Sequence, residues 1–454
     1  MRMRPRLFCA AIAVVLVAAG CSNADSGTAK DPSSGGGATV TTASSGERGT
    51  FVPISGVPGV TDSQISYAVI GTKTNNPLGT CILDCYLAGI KAYFAYQNDQ
   101  GGIYKRQLVV GDVLDDALSQ NQTRSLEVIS NGKDFGAFVA TLVPAGFVEL
   151  DAAGVPTYVW GIHATEEANR KSIFPHMAVQ CATCTSRSNP YLIGQSGATK
   201  VGVLGYGVSE NSKVCADTLK ESIEKYSNDI GGAQVVYFNN QVAFGLPNGI
   251  APEVTAMKDA GVQYIASCMD LNGMKTLGQE LERQGMNDVV MGHPNTYDQQ
   301  FVTEAGSIFE GDYVTPQFRP FEATPNDAQT KFQEYMAKAG AQPTELAMVG
   351  WINASTAVAG LLAAGPDFDR QNVIDATNTL TDWTAAGLTA PIDWTYQHSP
   401  PTAGDPGSFP AQECFAPVKI VAGRFQTVAD PAKPFLCWSN RSDAWSQPEP
   451  TSFG

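Results

Sequence analysis

The sequence predicts an α/β protein built as two successive halves, each a parallel sheet wrapped by helices. Three observations carry this. Short apolar runs alternate with helical patterns from Gln64 onward, the alternation restarts near Lys200, and 454 residues exceed what one ordinary domain encloses. Hydrophobic residues at 43% and charged residues at 16% supply a filled core rather than a disordered chain.

In order along the chain, residues 65–70 read as the first strand. Leu87, Ile90 and Phe94 place an apolar stripe on the helix that follows. Residues 108–113 form the next strand, before a polar helix whose buried face is expected to include Leu126 and Ile129. A strand at 137–141, a helix at 145–153 and a strand at 156–160 complete the first half. Residues 174–190 are a crossover. The second half opens with a strand at 200–204 and a helix at 214–226 whose apolar positions are Val214, Leu219 and Ile223. Strands at 234–238, 264–268 and 289–291 then alternate with helices at 252–260 and 274–284. Such βαβ runs require parallel sheets. The last third is less regular, with helices near 327–339, 344–364 and 371–380. A Pro/Gly-rich loop at 399–410, flanked by short strands, follows them.

One apolar run stands out, and it lies at the N-terminus. Arg2, Arg4 and Arg6 precede residues 7–19, which are too few to span a bilayer that needs about 20. A basic start, a short apolar centre and small closing residues describe a secretory signal. Ala18-Ala19-Gly20-Cys21 resembles the bacterial lipobox, with Ala18 where that pattern prefers Leu. The resemblance implies a lipoprotein signal peptide at 1–20 and acylation of Cys21. An ordinary signal cleaved nearby is the alternative. Residues 22–50 are rich in Ser, Gly, Thr and Ala without an aromatic, so 21–50 reads as a disordered tether.

Net charge is −15, and loss of the three leading arginines takes the body to −18. That disfavours nucleic acid, whose phosphates require clustered Lys and Arg. It also disfavours attraction to anionic lipids, so membrane attachment rests on the lipidated N-terminus.

Ten cysteines are present. With Cys9 leaving in the signal and Cys21 acylated, eight remain, and they allow about a hundred pairings. Spacing suggests Cys81 with Cys85, Cys181 with Cys184, Cys215 with Cys268 and Cys414 with Cys437. Cys181-Ala-Thr-Cys184 also fits a redox or zinc motif, but zinc wants a second pair or nearby histidines, and only His176 is close. In a doubly wound sheet of order 2-1-3-4-5, strands one and three are neighbours, which brings Cys215 within reach of Cys268.

Chemical motifs are sparse. Gly205-Tyr206-Gly207-Val208-Ser209-Glu210 sits between a strand and a helix as a dinucleotide fingerprint would. Its last position is Glu210, whose charge repels a pyrophosphate, and the next strand ends in Phe238-Asn239 rather than an acid. His163, His176, His293 and His398 are widely separated, and no Walker A run or Gly-x-Ser-x-Gly elbow is present. The sequence supports no catalytic residue, no metal and no cofactor.

Four segments together resemble the type I periplasmic solute-binding proteins, the class containing the Leu/Ile/Val-binding receptors. They are Ile65-Ser66-Tyr67-Ala68-Val69-Ile70-Gly71, Gln97-Asn98-Asp99-Gln100-Gly101-Gly102-Ile103, Leu108-Val109-Val110 with Asp115-Asp116, and Gly154-Val155-Pro156. The likeness spans roughly residues 60–438. It implies two Rossmann-like doubly wound lobes joined by a three-strand hinge, lobe 1 being 51–176 with 316–388 and lobe 2 being 177–315 with 389–454. It further implies an extracytoplasmic, non-enzymatic receptor that passes a small polar solute to ABC permease subunits. Branched-chain amino acids, amides and related carboxylates are the solute classes. A sensory or orphan receptor uncoupled from import is the alternative.

Parallel sheets bind ligands beyond the carboxyl ends of their strands, where helix N-termini converge. That rule selects loops 72–80, 141–145 and 160–165 in the first half, and 205–211, 269–273 and 292–297 in the second. By resemblance, Thr141 falls near the hydroxyl that meets a ligand carboxylate, and Gly161 and His163 in the next contacting loop. Glu210 and Asp270 fall near positions often aromatic, and Asn295 near an acid. Trp160 and Tyr206 are wall candidates. Each has a plainer role open to it: Thr141 and Asp270 as helix caps, Glu210 at a helix's positive end, Trp160 and Tyr206 as packing, and His163 as a surface-loop residue. A carboxylate for a ligand ammonium is missing at Pro294-Asn295 unless Asp270 or Glu210 supplies it.

Overall fold

The computed structural model describes residues 49–178, 181, 183–208, 210–294, 296–399, 402 and 410–454. The signal, most of the tether, Cys21 and Asn295 lie outside the described residues.

The first half runs β1 (Gln64–Gly71), α1 (Leu83–Asp99), β2 (Gln107–Asp115), α2 (Asn121–Asn131), β3 (Gly136–Ala140), α3 (Phe147–Ala152), β4 (Thr157–Val159), α4 (Ala164–Glu167) and β5 (Ile173–Pro175). The second runs α5 (Ser188–Ser196), β6 (Lys200–Tyr206), α6 (Glu210–Lys225), β7 (Gln234–Val242), α7 (Ala251–Ala260), β8 (Tyr264–Cys268), α8 (Leu271–Arg283), β9 (Val290–His293), α9 (Gln299–Ala305) and β10 (Tyr313–Val314). Then come α10 (Asp327–Lys338), α11 (Glu345–Ala364) and α12 (Arg370–Thr377). The chain finishes with β11 (Gln412–Phe415), β12 (Val418–Val421), β13 (Arg424–Thr427), β14 (Phe435–Ser439) and β15 (Glu449–Thr451).

Two lobes result. The first sheet is wholly parallel in the order β2-β1-β3-β4-β5. The second repeats that order as β7-β6-β8-β9-β10, and β12 and β13 extend it antiparallel. A small antiparallel sheet, β11-β14-β15, packs Phe415, Leu436 and Trp438 beside α5. The chain passes between the two large sheets three times, at residues 176–187, 315–326 and 378–411. Among the described residues these crossings hold no strand of either sheet; turns and extended backbone carry them, tied by bonds such as Arg319 N to Leu388 O at 2.7 Å.

Helix α11 shows why the third part of the chain belongs with the first lobe. It is apolar and long enough to cross a membrane, yet 89% of its apolar window is buried in the protein. The sequence places a helix at 344–364 but gives no sign that it is buried on all sides. Glycines set its contact with α1: a Cβ on Gly89 would strike the Ala347 carbonyl, and one on Gly350 would strike the Tyr86 carbonyl. At that close approach, Asn353 Nδ2 donates to the Tyr86 hydroxyl at 2.7 Å, which donates to the Tyr158 carbonyl at 3.0 Å. One polar chain thus links α11, α1 and β4 inside the core.

The α2 expectation needs correcting at Leu126, while Ile129 packs partly buried against the Val128 and Phe147 cluster. Leu126 is 46% exposed, and the buried face is Asn121, Ser125 and Val128. Asn121 Oδ1 accepts the Gly146 amide at 2.8 Å, so the start of α3 docks on a polar stripe that hydrophobic periodicity does not register.

Four disulfides are formed: Cys81–Cys85, Cys181–Cys184, Cys215–Cys268 and Cys414–Cys437, the pairing that spacing suggests. Buried Arg187, in the first crossing, joins α5 to the C-terminal strands. Its Nε meets Glu413 at 3.1 Å, and its remaining nitrogens donate to Ser439 O, Ser442 O and Asn440 Oδ1.

Candidate ligand-binding site

The strand-end loops of the two sheets meet one another. On the first lobe, Thr141 follows β3 and is buried, and its hydroxyl donates to Asp116 Oδ2 at 2.5 Å. Asp116 in turn accepts the Leu118 amide at 3.0 Å. The hydroxyl is therefore engaged within its own lobe. Trp160 continues β4, its amide bonded to Val139 O at 3.0 Å; it is 3% exposed, and among the described residues its indole N–H has no hydrogen-bond partner. The Gly161 amide donates to His176 Nδ1 at 3.0 Å. A side chain there would press within 2.8 Å of Pro175, so glycine is what lets β4 run this close to the first crossing. Burial holds the His176 imidazole down to about 3, so it is neutral and able to accept that bond.

His163 is not a surface residue. It is 3% exposed, and its partners fix its tautomer. Nε2 faces the Thr141 carbonyl at 2.9 Å, which can only accept, so Nε2 carries the proton. Nδ1 is then an acceptor, and Asn211 Nδ2 of the second lobe lies 3.2 Å from it. Burial lowers the pKa of His163. Its backbone amide donates to Glu167 Oε1 at 2.9 Å, and burial raises that carboxyl to about 8.

On the second lobe, Tyr206 ends β6 and is buried, with its ring edge-on to Phe244 at 5.0 Å. Its hydroxyl donates to Asp270 Oδ2 at 2.6 Å, and burial raises the phenol's pKa. The other Asp270 oxygen caps α8, accepting the Asn272 and Gly273 amides at 2.9 and 3.1 Å. Ser212 ties the same corner together: its hydroxyl accepts from the Tyr206 amide and donates to Cys268 O, both at 2.7 Å. The Cys215–Cys268 bridge staples the second turn of α6 to the end of β8.

Thr141, Trp160, Gly161, His163, Tyr206 and Asp270 thus line facing loops. Glu210 does not join them: its side chain is 81% exposed and lies 3.9 Å from Lys213. Asn295 lies outside the described residues. Two residues that sequence reasoning missed, Asn211 and Asn272, join the strand-end loops of one lobe to those of the other. Asn272 Nδ2 donates to the Pro77 carbonyl at 3.0 Å, as Asn211 does to His163. Both sit in or beside the selected loops, but an exposed asparagine carries no signal of its partner. Two surface depressions of about 720 and 340 Å³ lie elsewhere, beside α9 and the β12–β13 turn, and at the amino end of β1. Trp160, Tyr206 and Met269, with partly buried Leu78, Leu142 and Ile162, belong to one apolar cluster. Among the described residues, no group of His, Cys, Asp and Glu is arranged to hold a metal ion.

Two parallel sheets whose carboxyl ends face each other, linked by three crossings, define a two-lobed binding protein. The sequence profile of the periplasmic binding protein family matches residues 81–404, and the chain belongs to that family. It is a family of solute-binding proteins rather than enzymes, and membership places the chain outside the cytoplasm, where disulfides persist. Solved structures agree on the fold. A branched chain amino acid ABC transporter protein from Thermus thermophilus, with bound valine, is 17% identical over 81% of this chain and 96% of that one, at a TM-score of 0.60. A solute-binding protein from R. palustris in complex with 4-hydroxybenzoate is 16% identical over 81% and 98%, at 0.61. A fatty acid ABC transporter substrate-binding protein from Thermomonospora curvata is 17% identical over 83% and 95%, at 0.60. No curated protein matches the chain.

Proposed function

We propose that the chain is the solute-binding lipoprotein of an ABC importer, held at the membrane by a lipid on Cys21. It closes its two lobes on a small solute with an apolar body and a polar end. The observation that supports this best is the meeting of strand-end loops from both sheets, Asn211 with His163 and Asn272 with Pro77, with the apolar side chains of Trp160, Tyr206 and Met269 buried in the same core. Branched-chain amino acids, amides and related carboxylates have an apolar body and a polar end. Valine and 4-hydroxybenzoate, held by two of the structural neighbours, have the same character.

In this reading lobe 1 comprises 51–176 and 316–388, and lobe 2 comprises 177–315 and 389–454. Trp160 supplies a wall and an unspent N–H for a ligand acceptor, since a buried donor without a partner is costly. The Gly161 and His163 amides are already given to His176 and Glu167, so the 160–165 loop contributes its shape and the Trp160 N–H rather than free backbone amides. The Tyr206–Asp270 pair receives a ligand donor from the opposite side. Glu210, turned to solvent, has no part. Because Thr141 already donates to Asp116, its role is to shape the loop.

A ligand that binds only the folded state raises its melting temperature, by about 2.7 kcal/mol of stability at a hundredfold excess over Kd. Thermal scans of the chain carrying Cys21→Ser, against amino acids, amides and aromatic acids, are expected to show one class raising the midpoint by several degrees. A panel without any shift, alongside hydrolytic turnover of one member, sinks the proposal.

A further inference from the structure

We propose that Asn211 and Asn272 are the latch of the cleft: two side chains of the second lobe that hold the first lobe shut without touching the guest. The inference rests on the binding-protein reading and names what regulates that site.

Both donors stand on rigid platforms. Asn272 is the second residue of α8, its backbone amide fixed by the Asp270 cap, so only its side chain is free to reach outward. Asn211 is the second residue of α6, one position before Ser212, whose hydroxyl locks that turn to Tyr206 and Cys268. The Cys215–Cys268 bridge fastens the next turn of the same helix.

Both acceptors are equally held. The Pro77 carbonyl belongs to a loop that Asn76 folds on itself, donating to Thr80 O at 2.7 Å and accepting the Leu78 amide at 3.0 Å. The Cys81–Cys85 bridge follows directly. In that loop Gly79 has φ +77°, and a Cβ on it would lie 2.6 Å from the Asn272 amide, so the glycine leaves the seat that Asn272 occupies. His163 is oriented by Thr141 O through Nε2, which leaves Nδ1 facing Asn211 as an acceptor.

Neither bond supports the fold of its own lobe. Asn211 and Asn272 are exposed, and the contact of each runs to the other lobe. Hinge opening therefore breaks both, while the core bonds of each lobe survive. A partly exposed hydrogen bond of this kind shifts a two-state equilibrium by about fivefold. The two bonds sit on different helices and are expected to act additively.

The test reads the distance between lobes in the full chain, with dyes on non-canonical residues at exposed Ser130 of α2 and Glu282 of α8, by single-molecule energy transfer. The wild type is expected to show a short and a long population. Asn211→Ala and Asn272→Ala each move the ratio toward the long one by about fivefold. Asn272→Asp is the sharper variant. It sets a carboxylate against the Pro77 carbonyl, so it opens the cleft further than alanine does. Yet a negative charge in the first turn of α8 favours the helix, so the melting temperature holds or rises. A merely structural asparagine would lower it. Two populations whose ratio is the same in all three variants overturn the latch and leave the binding-protein reading standing. A single unchanging distance in every protein, with valine and 4-hydroxybenzoate added in turn, overturns both.

Discussion

Single residues set how this protein responds to pH. Burial holds three histidines toward the neutral form: His176 falls to about 3, His398 to about 4, and His163 moves the same way. Two glutamates are buried protonated: burial lifts Glu167 to about 8, and burial with Asp298 nearby lifts Glu345 to about 8. The signs oppose each other. A depressed histidine contributes stability that is present above about 6.5 and lost as pH falls toward its folded value. A raised glutamate contributes stability that is present below about 4.5 and lost as pH rises toward 8. Each group contributes a slope of about 1.4 kcal/mol per pH unit within its window. Between about pH 5 and 6 the opposing groups nearly cancel; above 6.5 only the glutamates act. Calorimetric scans are expected to peak near pH 6 and fall steadily to pH 8, and a midpoint still rising between pH 6 and 8 contradicts this. None of these buried groups was legible as such in the sequence, because burial of a polar side chain depends on contacts made by distant parts of the chain. His163 shows the same gap: its loop was identifiable, but its burial under Asn211 was not.

At the scale of elements, the alternation of strand and helix was legible wherever apolar periodicity was strong. The order of both parallel sheets follows the doubly wound rule, and the bridge between Cys215 and Cys268 follows from it. Periodicity failed where burial is polar, as at Asn121 and Ser125 of α2, and where elements are very short, as at β5 and β10. It located α11 but not its packing, because an all-round apolar helix has no distinguishing stripe and its place is decided by glycines. Gly350→Ala tests that placement. The added methyl meets the Tyr86 carbonyl, so α1 and α11 must separate, at a cost of about 3 kcal/mol. Urea denaturation is expected to show a midpoint lowered with little change in slope. An unaltered midpoint would mean the helices do not approach that closely.

The whole molecule is a pair of sheets aimed at each other, and its function depends on that opposition rather than on any one motif. The sequence carried the two halves and their loops, since both arise from local pattern. It could not carry which loop residues turn inward. Glu210 and Asp270 occupy comparable places at helix starts, yet one faces solvent and the other is held by Tyr206. The closing measurement is hydrogen exchange with and without the solute that raises the melting temperature. If the guest sits between the lobes, backbone amides in 141–145 and 160–165 gain protection together with those in 205–211 and 269–273. Protection confined to one lobe, or to the depressions beside α9 and β1, would contradict the account.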